Sequence, residues 1–251
     1  MHPEFITIGN FTIYWYGVLF ASAFIIAVIH WSLLARMDNR PSGIGVDLAL
    51  WIMVSGILGA RLAYVISDFE HFRASPMEIL RIDQGGLIYY GGFIASFLAV
   101  LVFIKVRRES MLSMADFTIT GIPIGHAVGR IGCFLNGCCY GTASDIPWGV
   151  WIHSALRHPT QLYETALNVL VYFALMILYF RKRRDGSVLA LYMVLYPAGR
   201  FVIEFFRGDE RLSGFGLNVA QELSLLLVIL GIVLWFTLPQ RLYQPHGNYK
   251  R

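Results

Sequence analysis

The stretch DLALWIMVSGILGARLAYVI, residues 47–66, decides the fold, because it is apolar over the length that crosses a bilayer and yet contains an arginine, Arg61. Two further arginines, Arg130 and Arg200, lie in runs of the same kind. One arginine near the centre of a membrane helix costs about 2.5–3.5 kcal/mol, so three would cost on the order of 8–10 kcal/mol if the costs add. We therefore expect the three guanidinium groups to face a protein interior or a polar cavity. Arginine binds phosphate through paired charge-assisted hydrogen bonds, so the pattern points to a lipid phosphate.

The composition is that of a polytopic membrane protein. Of the 251 residues, 57% are hydrophobic and only 14% are charged, whereas soluble globular domains carry about 25% charged residues. The formal net charge of +4 is modest, so we expect no nucleic-acid partner. The N-terminal segment has no basic region ahead of its apolar run, which argues against a cleaved signal peptide.

Hydrophobic runs of about 20 residues predict an all-α integral membrane protein with seven transmembrane helices. The predicted spans cover residues 11–34, 47–66, 85–104, 114–135, 161–180, 188–206 and 219–238. We expect a single domain over residues 1–251, with a small external cap built from segments 67–84 and 136–160.

The basic residues outside the membrane predict the orientation, since seven spans place the two chain ends on opposite sides. Twelve lysines and arginines fall on one side, at positions 36, 40, 105, 107, 108, 181, 182, 183, 184, 241, 250 and 251, and five fall on the other, at 73, 81, 157, 207 and 211. The positive-inside rule makes the richer side cytoplasmic, so the N-terminus lies outside and the C-terminus inside. Arg61, Arg130 and Arg200 then all fall in the outer half of their spans, which favours one common site.

The sixth predicted span contains a charged helical face. Arg200, Glu204 and Arg207 are spaced i, i+4 and i+7, which places them on one side of a helix. A structural ion pair that joins helices would explain the pattern. We favour a phosphate site, because two arginines and one glutamate leave an excess of positive charge.

The fourth predicted span is less apolar than the others and ends in a glycine-rich sequence. It carries Asp116 and His126, and Pro123 is expected to kink it. Its end reads GRIGCFLNGCCYG, residues 129–141. Glycine allows tight turns and close helix contacts, so this segment could serve helix packing alone. Alternatively, freed backbone N–H groups could bind an anion beside Arg130.

The same segment contains the motif Gly129-Arg130-x-Gly132-x-Phe134-x-Asn136-Gly137, followed by Gly141. Together with segments spread over essentially the whole chain, it resembles the bacterial phosphatidylglycerol–prolipoprotein diacylglyceryl transferase family. The other matching segments are Tyr16-Gly17, Gly59-Ala60-Arg61-Leu62, Ala115-Asp116-Phe117, Arg157-His158-Pro159-Thr160-Gln161-Leu162-Tyr163-Glu164, Arg200 with Glu204-Phe205-Phe206-Arg207, and Gln221.

The resemblance implies an activity, its substrates and a location. The family transfers the diacylglyceryl group of phosphatidylglycerol to the thiol of a lipobox cysteine in a preprolipoprotein, which yields a thioether-linked lipoprotein and glycerol phosphate. The expected partners are phosphatidylglycerol, the preprolipoprotein signal peptide and membrane lipid, and the expected location is the bacterial cytoplasmic (inner) membrane. The resemblance implies neither a metal nor an organic cofactor.

The resemblance also implies roles for individual residues. Arg130 and Arg200 would clamp the lipid phosphate and stabilise the charge that develops on it. Arg61 and Arg207 would assist, and Glu204 would hold the arginines. The substrate-binding residues would further include Tyr16, Gly91, Gly92, Asn136, Gly141, His158 and Gln221.

Two features depart from the family pattern. The third span has Tyr90-Gly91-Gly92 where many members have His-Gly-Gly, and we expect Tyr90 to take the place of that histidine as general base. Tyrosine has an ordinary pKa of about 10, so it would accept a proton only if its pKa is lowered; otherwise it orients substrate. Cys133 and Cys138 stand where the pattern has asparagine and glutamate, and we transfer neither role to them.

Cys133, Cys138 and Cys139 fall within seven positions near the expected outer surface, where oxidation is favoured. We expect a disulfide from Cys133 to Cys138 or Cys139. Free structural thiols and a catalytic thiol are two other interpretations. A metal site, which the ligand spacing disfavours, is the fourth, and it would be completed by a histidine: His126, His153 or His158.

Two other classes of function fit the arginines. One is a related enzyme on the same scaffold that has a different acceptor or uses the cysteines in its chemistry. The other is an anion transporter, a class that often shows inverted repeats, and we find no such repeat in this sequence.

Overall fold

The computed structural model describes residues 3–9, 11–81, 85–181, 184–208 and 216–238. Contacts divide the chain into two compact units. The first unit comprises Met1–Trp31 together with Ala115–Arg251, and the second comprises Ser32–Met114.

Helices dominate both units. In chain order the elements are β1 (Glu4–Ile8), β2 (Phe11–Tyr14), α1 (Trp15–Met37), α2 (Ile44–Ser67), α3 (Phe69–Ala74), a 3-10 helix (Pro76–Leu80), α4 (Tyr89–Arg107), α5 (Met111–Ile119), α6 (Gly121–Asn136), β3 (Val150–Ile152), β4 (Ala155–Arg157), α7 (Thr160–Arg181), α8 (Ser187–Glu204) and α9 (Val219–Thr237).

Six of these helices are long and apolar enough to cross a membrane, counted over the described residues. They are α1, α2, α4, α7, α8 and α9, and they coincide with six of the seven predicted spans. Large apolar side chains lie on their outer surfaces: Leu170 on α7 is 69% exposed and Phe236 on α9 is 79% exposed. Apolar surface on this scale is unfavourable in water and suits lipid acyl chains. The structure therefore supports the predicted multi-span helical membrane protein.

The first span begins later than predicted. Residues 11–14, which we expected inside the helix, form β2 and pair antiparallel with β1, with Ile6 opposite Ile13 and Thr7 opposite Thr12. β-branched side chains such as these favour strands. Gly9 supplies the positive φ of +60° at which the chain reverses. The helix therefore starts only at Trp15.

The fourth predicted span is divided into two helices, α5 and α6, which are separated at Thr120. Pro123 lies in the first turn of α6, where its missing N–H has no intrahelical partner to lose. Its ring would clash with the carbonyl four residues earlier if the helix ran on through this point. The expected kink is therefore a break between two shorter helices.

Contacts from α1 stabilise this break. His30 Nε2 lies 2.8 Å from the Thr120 hydroxyl, and Trp31 Nε1 donates to the Thr118 carbonyl at 3.2 Å. A Cβ atom on Gly121 would lie 2.5 Å from the Trp31 indole, so only glycine fits there. α1 thus supplies a polar partner to one backbone carbonyl and one hydroxyl beside the break.

In the second unit, α2 and α4 approach each other through glycines. A Cβ atom on Gly59 would lie 2.6 Å from the Gly91 carbonyl, and one on Gly91 would lie 2.5 Å from the Gly59 carbonyl. A Cβ on Gly92 would lie 2.9 Å from the Gly56 carbonyl. Small residues of this kind let membrane helices pack backbone to backbone.

In the first unit, a buried carboxylate fixes the start of α8. Asp116, which is 0% exposed, accepts hydrogen bonds from the backbone N–H groups of Gly186 and Leu189, both at 2.9 Å. A negative charge at the N-terminus of a helix is favourable because it pairs with the unbonded N–H groups and the helix dipole. The segment before α8 is thereby tied to α5.

The predicted cap segments have ordered structure. Segment 67–84 contains α3 and the 3-10 helix, and its residues 82–84 lie outside the described part of the chain. Segment 136–160 contains the β3–β4 hairpin, in which Trp151 pairs with Leu156. The two segments belong to different units.

Candidate active site

One buried carboxylate gathers three arginines in the first unit. Glu164, near the start of α7, is 0% exposed. Its Oε2 lies 2.7 Å from Nε of Arg130, and its Oε1 lies 3.4 Å from Nη1 of Arg207 and 3.5 Å from Nη1 of Arg200. The arginines come from α6, from α8 and from the residues just after α8. Two of the three membrane arginines expected to share one site, Arg130 and Arg200, therefore converge on Glu164 together with Arg207.

A second carboxylate, Glu204, neutralises part of the positive charge of this arginine cluster. Glu204 is buried and pairs with Arg200 one helical turn earlier, as its spacing predicts. Three guanidinium groups and two carboxylates leave an excess of one positive charge. Buried charge of one sign is costly unless it is paired, so the cluster favours an anionic ligand.

The cluster also has unused hydrogen-bond donors. The Nε–H of Arg130 points to His126 Nε2 at 3.1 Å, and its two terminal nitrogens donate to no described residue. Nη1 of Arg200 is buried, and no hydrogen-bond acceptor for it is found among the described residues. The Arg130 and Arg200 side chains keep 17% and 11% of their surface accessible. These donors match the bidentate arrangement by which arginine holds phosphate oxygens.

Backbone pairing positions Arg207. The N–H of Thr142 donates to the Phe206 carbonyl at 2.8 Å, and the N–H of Gly208 donates to the Tyr140 carbonyl at 3.2 Å. Gly141 and Arg207 thus face each other as an isolated β-bridge. A Cβ on Gly141 would lie 2.5 Å from the Phe206 carbonyl, so this glycine is required for the close approach.

His158 belongs to the same packed region. Its carbonyl accepts from the N–H of Gly141 at 2.9 Å, and its Nδ1 lies 3.1 Å from the Tyr163 hydroxyl. Its ring packs on Phe206, with ring centroids 5.0 Å apart. These contacts give His158 and Gly141 a supporting position beside Arg207, and the substrate roles expected for them stay predictions.

The end of α6 carries Asn136 and the cysteines, and here the expected disulfide is wrong: all three thiols are free. Gly137 has φ +72°, its N–H donates to the Phe134 carbonyl at 3.1 Å, and the N–H of Cys138 donates to the Cys133 carbonyl at 3.2 Å. This Schellman turn folds Cys138 back over the last turn of α6. The Cys138 thiol then donates to the Cys133 carbonyl, at 3.6 Å, instead of bonding to sulfur.

The electrostatic surroundings of the two cysteines that follow α6 differ. A hydrogen bond with Cys133 lowers the pKa of Cys139, with Arg207 adding to the effect and burial opposing it. Burial raises the pKa of Cys138. Arg207 therefore contacts both the Cys139 thiol and Glu164.

Two further predicted residues of the first unit have clear structural contacts. Tyr16 lies on α1 beside Gly132, whose added Cβ would sit 3.5 Å from the Tyr16 ring, and 43% of the tyrosine is exposed. Gln221 forms a capping box at the start of α9, accepting from the N–H of Asn218 at 3.2 Å while its own N–H donates to the Asn218 side chain at 2.9 Å. A part in substrate binding stays a prediction for both.

Arg61 lies in the second unit, and its guanidinium is occupied by backbone carbonyls. Nε donates to Ile79 at 2.9 Å, Nη1 to Gly85 and Gly86 at 3.0 and 3.1 Å, and Nη2 to Glu78 at 2.5 Å. The arginine thereby fastens the segment after α3 to α2. A membrane arginine that binds carbonyls is satisfied without an anion, an alternative that the sequence reasoning did not consider.

The other predicted residues of the second unit are Tyr90, Gly91 and Gly92. Tyr90 lies in the first turn of α4 and is 73% exposed. Gly91 and Gly92 lie in the close contact of α4 with α2. Their contacts place the glycines in helix packing, and the substrate roles of all three residues stay predictions.

Sequence reasoning missed the residue at the centre of the cluster, Glu164. Glu164 stands at the end of the Arg157–Glu164 run. A single glutamate near the start of an apolar helix is explained by its favourable interaction with the helix dipole, so it did not indicate a site. The available signal was that the membrane arginines outnumber the carboxylates assigned to them.

Comparison with known proteins gives a consistent result. Residues 3–237 match the family model described as prolipoprotein diacylglyceryl transferase. Proteins named phosphatidylglycerol–prolipoprotein diacylglyceryl transferase from Campylobacter curvus and Nitrosomonas europaea are similar to the chain. The first is 34% identical over 252 aligned residues, covering 94% of this chain and 93% of the relative. The second is 37% identical over 254, covering 94% and 91%.

Proposed function

Because the chain belongs to the prolipoprotein diacylglyceryl transferase family, we propose that it transfers the diacylglyceryl group of phosphatidylglycerol to the lipobox cysteine thiol of a preprolipoprotein. The products are a thioether and glycerol phosphate. The observation that carries the proposal is the arginine cluster around Glu164, with its excess positive charge and unused donors.

The cluster suits the chemistry of the leaving group. The bond that breaks joins a glycerol carbon to a phosphate oxygen, so negative charge grows on the departing phosphate. Arg130 and Arg200 clamp that phosphate, and Arg207 assists. Fixed donors aimed at developing charge are worth about 2.7–4 kcal/mol each in other enzymes. Glu164 and Glu204 hold the guanidinium groups in place, so no reorganisation is needed when the charge appears.

The remaining predicted residues keep the roles that the family resemblance implies. In our proposal Tyr90 is the general base, and Tyr16, Asn136, Gly141, His158 and Gln221 shape the lipid and peptide sites. Arg61, Gly91 and Gly92 support substrate binding from α2 and α4.

We further propose that α5 and α6 together form a fourth span, which makes seven. α5 has 9 residues and α6 has 16. With Thr120 between them they span at most about 39 Å, and the hydrocarbon core is ~30 Å thick. The N-terminus then lies outside the bacterial cytoplasmic membrane, the C-terminus inside, and the arginine cluster beneath the outer leaflet. Phosphatidylglycerol enters sideways from that leaflet, and the signal peptide is already tethered there.

A transfer assay tests the proposal. The purified protein, in nanodiscs that contain phosphatidylglycerol labelled in its acyl chains, is mixed with a lipobox peptide, and label on the peptide is measured. We expect transfer by the parent and none by Arg130→Ala or Arg200→Ala, with both variants still inserted in the membrane.

Arg181→Ala is the matched control, because Arg181 is an exposed arginine at the far end of α7 from Glu164. It should retain parental transfer. Normal transfer by either cluster variant would contradict the clamp, and no transfer by the parent to any lipobox peptide would contradict the proposed function.

A further inference from the structure

The turn that carries Cys138 and Cys139 is held by three consecutive carbonyl contacts. His153 Nε2 contacts the Gly137 carbonyl at 3.0 Å, Gln161 Nε2 donates to the Cys138 carbonyl at 2.7 Å, and the Thr160 hydroxyl donates to the Cys139 carbonyl at 2.9 Å. Gln161 and Thr160 are fully buried. Hydrogen bonds that fix the backbone on each side of a ligand set are typical of a preorganised site.

The backbone brings three sulfur atoms to one point. The Sγ atoms of Cys133, Cys138 and Cys139 all lie within 4.8 Å of one another. Cys139 has φ +62°, which non-glycine residues rarely adopt and which is found mostly where structure enforces it. A Zn–S bond is about 2.3 Å, so sulfur ligands of a tetrahedral zinc lie about 3.8 Å apart. Small side-chain rotations therefore suffice to bring these sulfurs onto one ion.

The chemistry of the cluster favours zinc with an open position. The expectation that the ligand spacing disfavours a metal was wrong for one pair: Cys133 and Cys138, with four residues between them, fall within the usual spacing of zinc-binding cysteines. In the described part of the chain no His, Asp or Glu atom joins the three sulfurs. The cysteines are only partly buried. Zinc sites that have three protein ligands keep the fourth position for water or substrate.

The cluster adjoins the arginines. Arg207 contacts Cys139 and also lies 3.4 Å from Glu164. Cys133 follows Arg130 by three residues on α6, which places the two side chains on neighbouring positions of one helical face. An ion on the sulfurs would therefore sit beside the groups that clamp the lipid phosphate.

We propose that Cys133, Cys138 and Cys139 form a zinc site whose fourth position binds the acceptor thiol of the peptide substrate; this inference rests on the proposed function. Zinc bound there would lower the pKa of the acceptor thiol, which would bind as the thiolate while its proton passes to solvent. Tyr90 would then orient substrate, the alternative to its role as general base. The thiolate sulfur then forms the C–S bond to the glycerol carbon, and the C–O electron pair leaves with the phosphate. The neutral thioether is a weak ligand and departs, while the three cysteines keep the metal.

The size of the effect follows from thiol ionisation. A free cysteine with a pKa of about 8.5 is only a few per cent thiolate at pH 7. Complete deprotonation on zinc therefore raises the reactive fraction by roughly 30-fold. We expect Cys133→Ser, Cys138→Ser and Cys139→Ser each to lower transfer at pH 7 by about that factor or more.

The decisive measurements are the metal content of the protein and the absorption of its cobalt form, which do not depend on activity. Full-length protein purified under reducing conditions should contain about one zinc per chain by elemental analysis. Replacement by Co²⁺ should give sulfur-to-cobalt charge-transfer absorption. Adding a lipobox peptide should increase that absorption, and the same peptide with serine in place of cysteine should not. Chelation of the parent followed by zinc return should abolish and restore transfer, which needs no variant at all.

Asp145→Asn is the matched control, because Asp145 offers a metal-ligating side chain in the same loop but lies outside the cluster. It should bind Co²⁺ as the parent does, whereas the triple cysteine-to-serine variant should not. A disulfide in the native protein, cobalt binding that survives the triple variant, a preference for Cu⁺ without zinc binding, or equal spectra with both peptides would overturn the zinc proposal.

The two proposals fail separately. Undiminished transfer by the metal-free triple variant would remove the zinc site and leave the transferase function standing. A parent that binds Co²⁺ and the peptide thiol but never transfers the lipid would leave the metal site and remove the function.

Discussion

Replacing Glu164 by glutamine removes the one negative charge that Arg130, Arg200 and Arg207 share, while the size of the side chain is kept. The carboxylate is fully buried, with the three guanidinium groups at 2.7, 3.5 and 3.4 Å. Breaking a buried ion pair by removing one partner costs about 3–5 kcal/mol, because the other charge stays buried without compensation. The excess charge of the cluster rises from one to two.

Two consequences are expected from Glu164→Gln. The thermal midpoint in detergent should fall, and added phosphatidylglycerol should recover part of the loss, because its phosphate replaces the missing charge and ligand binding stabilises the folded state. Without the carboxylate the arginine clamp is no longer aligned, so transfer should fall by about 10²–10³-fold. This is the effect of losing one well-placed donor to a developing anion. Neutral dioleoyl lipid should give no thermal recovery.

A double-mutant cycle isolates the contact. Glu164→Gln, Arg207→Ala and the double variant should show a coupling energy of about 1–3 kcal/mol in unfolding free energy, because the two groups touch. Additive effects, together with parental stability and transfer in Glu164→Gln, would refute the assignment of Glu164 as the centre of the cluster.

Two glycine substitutions test the packing that supports the site. Gly91→Ala places a Cβ 2.5 Å from the Gly59 carbonyl, so it should lower the unfolding free energy by about 1–3 kcal/mol. The control is Gly17→Ala, whose added Cβ meets nothing within 4 Å. This variant should leave the thermal midpoint in detergent unchanged or raise it. Gly141→Ala should push the Phe206–Arg207 segment away and lower transfer more than it lowers stability. Thr142→Ala, which keeps both backbone hydrogen bonds of the Gly141–Arg207 bridge, should behave as the parent. Equal transfer by the two variants would show that Arg207 does not depend on this bridge.

The sequence was most informative where hydrophobicity alone decides the structure. The long apolar helices α2, α7, α8 and α9 begin and end within about three residues of the predicted spans. Helix periodicity also placed Arg200, Glu204 and Arg207 on one face. The sequence was less informative at the N-terminus. Thr12 and Ile13 continue the apolar run of the first span, but their β-branched side chains favour a strand.

The partners of the membrane arginines could not be read from the chain. Arg61 and Arg200 lie in similar apolar runs, yet one binds backbone carbonyls and the other binds carboxylates. The difference arises from residues distant in sequence, Gly85 in one case and Glu164 in the other, which only tertiary structure brings near. The disulfide was preferred to free thiols for a related reason, because a Schellman turn fixes sulfur positions that the spacing alone leaves open.

The divided fourth span has a consequence for biogenesis. α5 and α6 carry Asp116 and Arg130, and each is shorter than the ~20 apolar residues that cross a bilayer. We therefore expect neither helix to insert stably by itself. The hydroxyl of Thr120 and the carbonyl of Thr118 meet His30 and Trp31 of α1, a segment synthesised some ninety residues earlier. We therefore expect α1, which is synthesised first, to stabilise α5 and α6 as they insert, so that the order of synthesis contributes to the formation of the site.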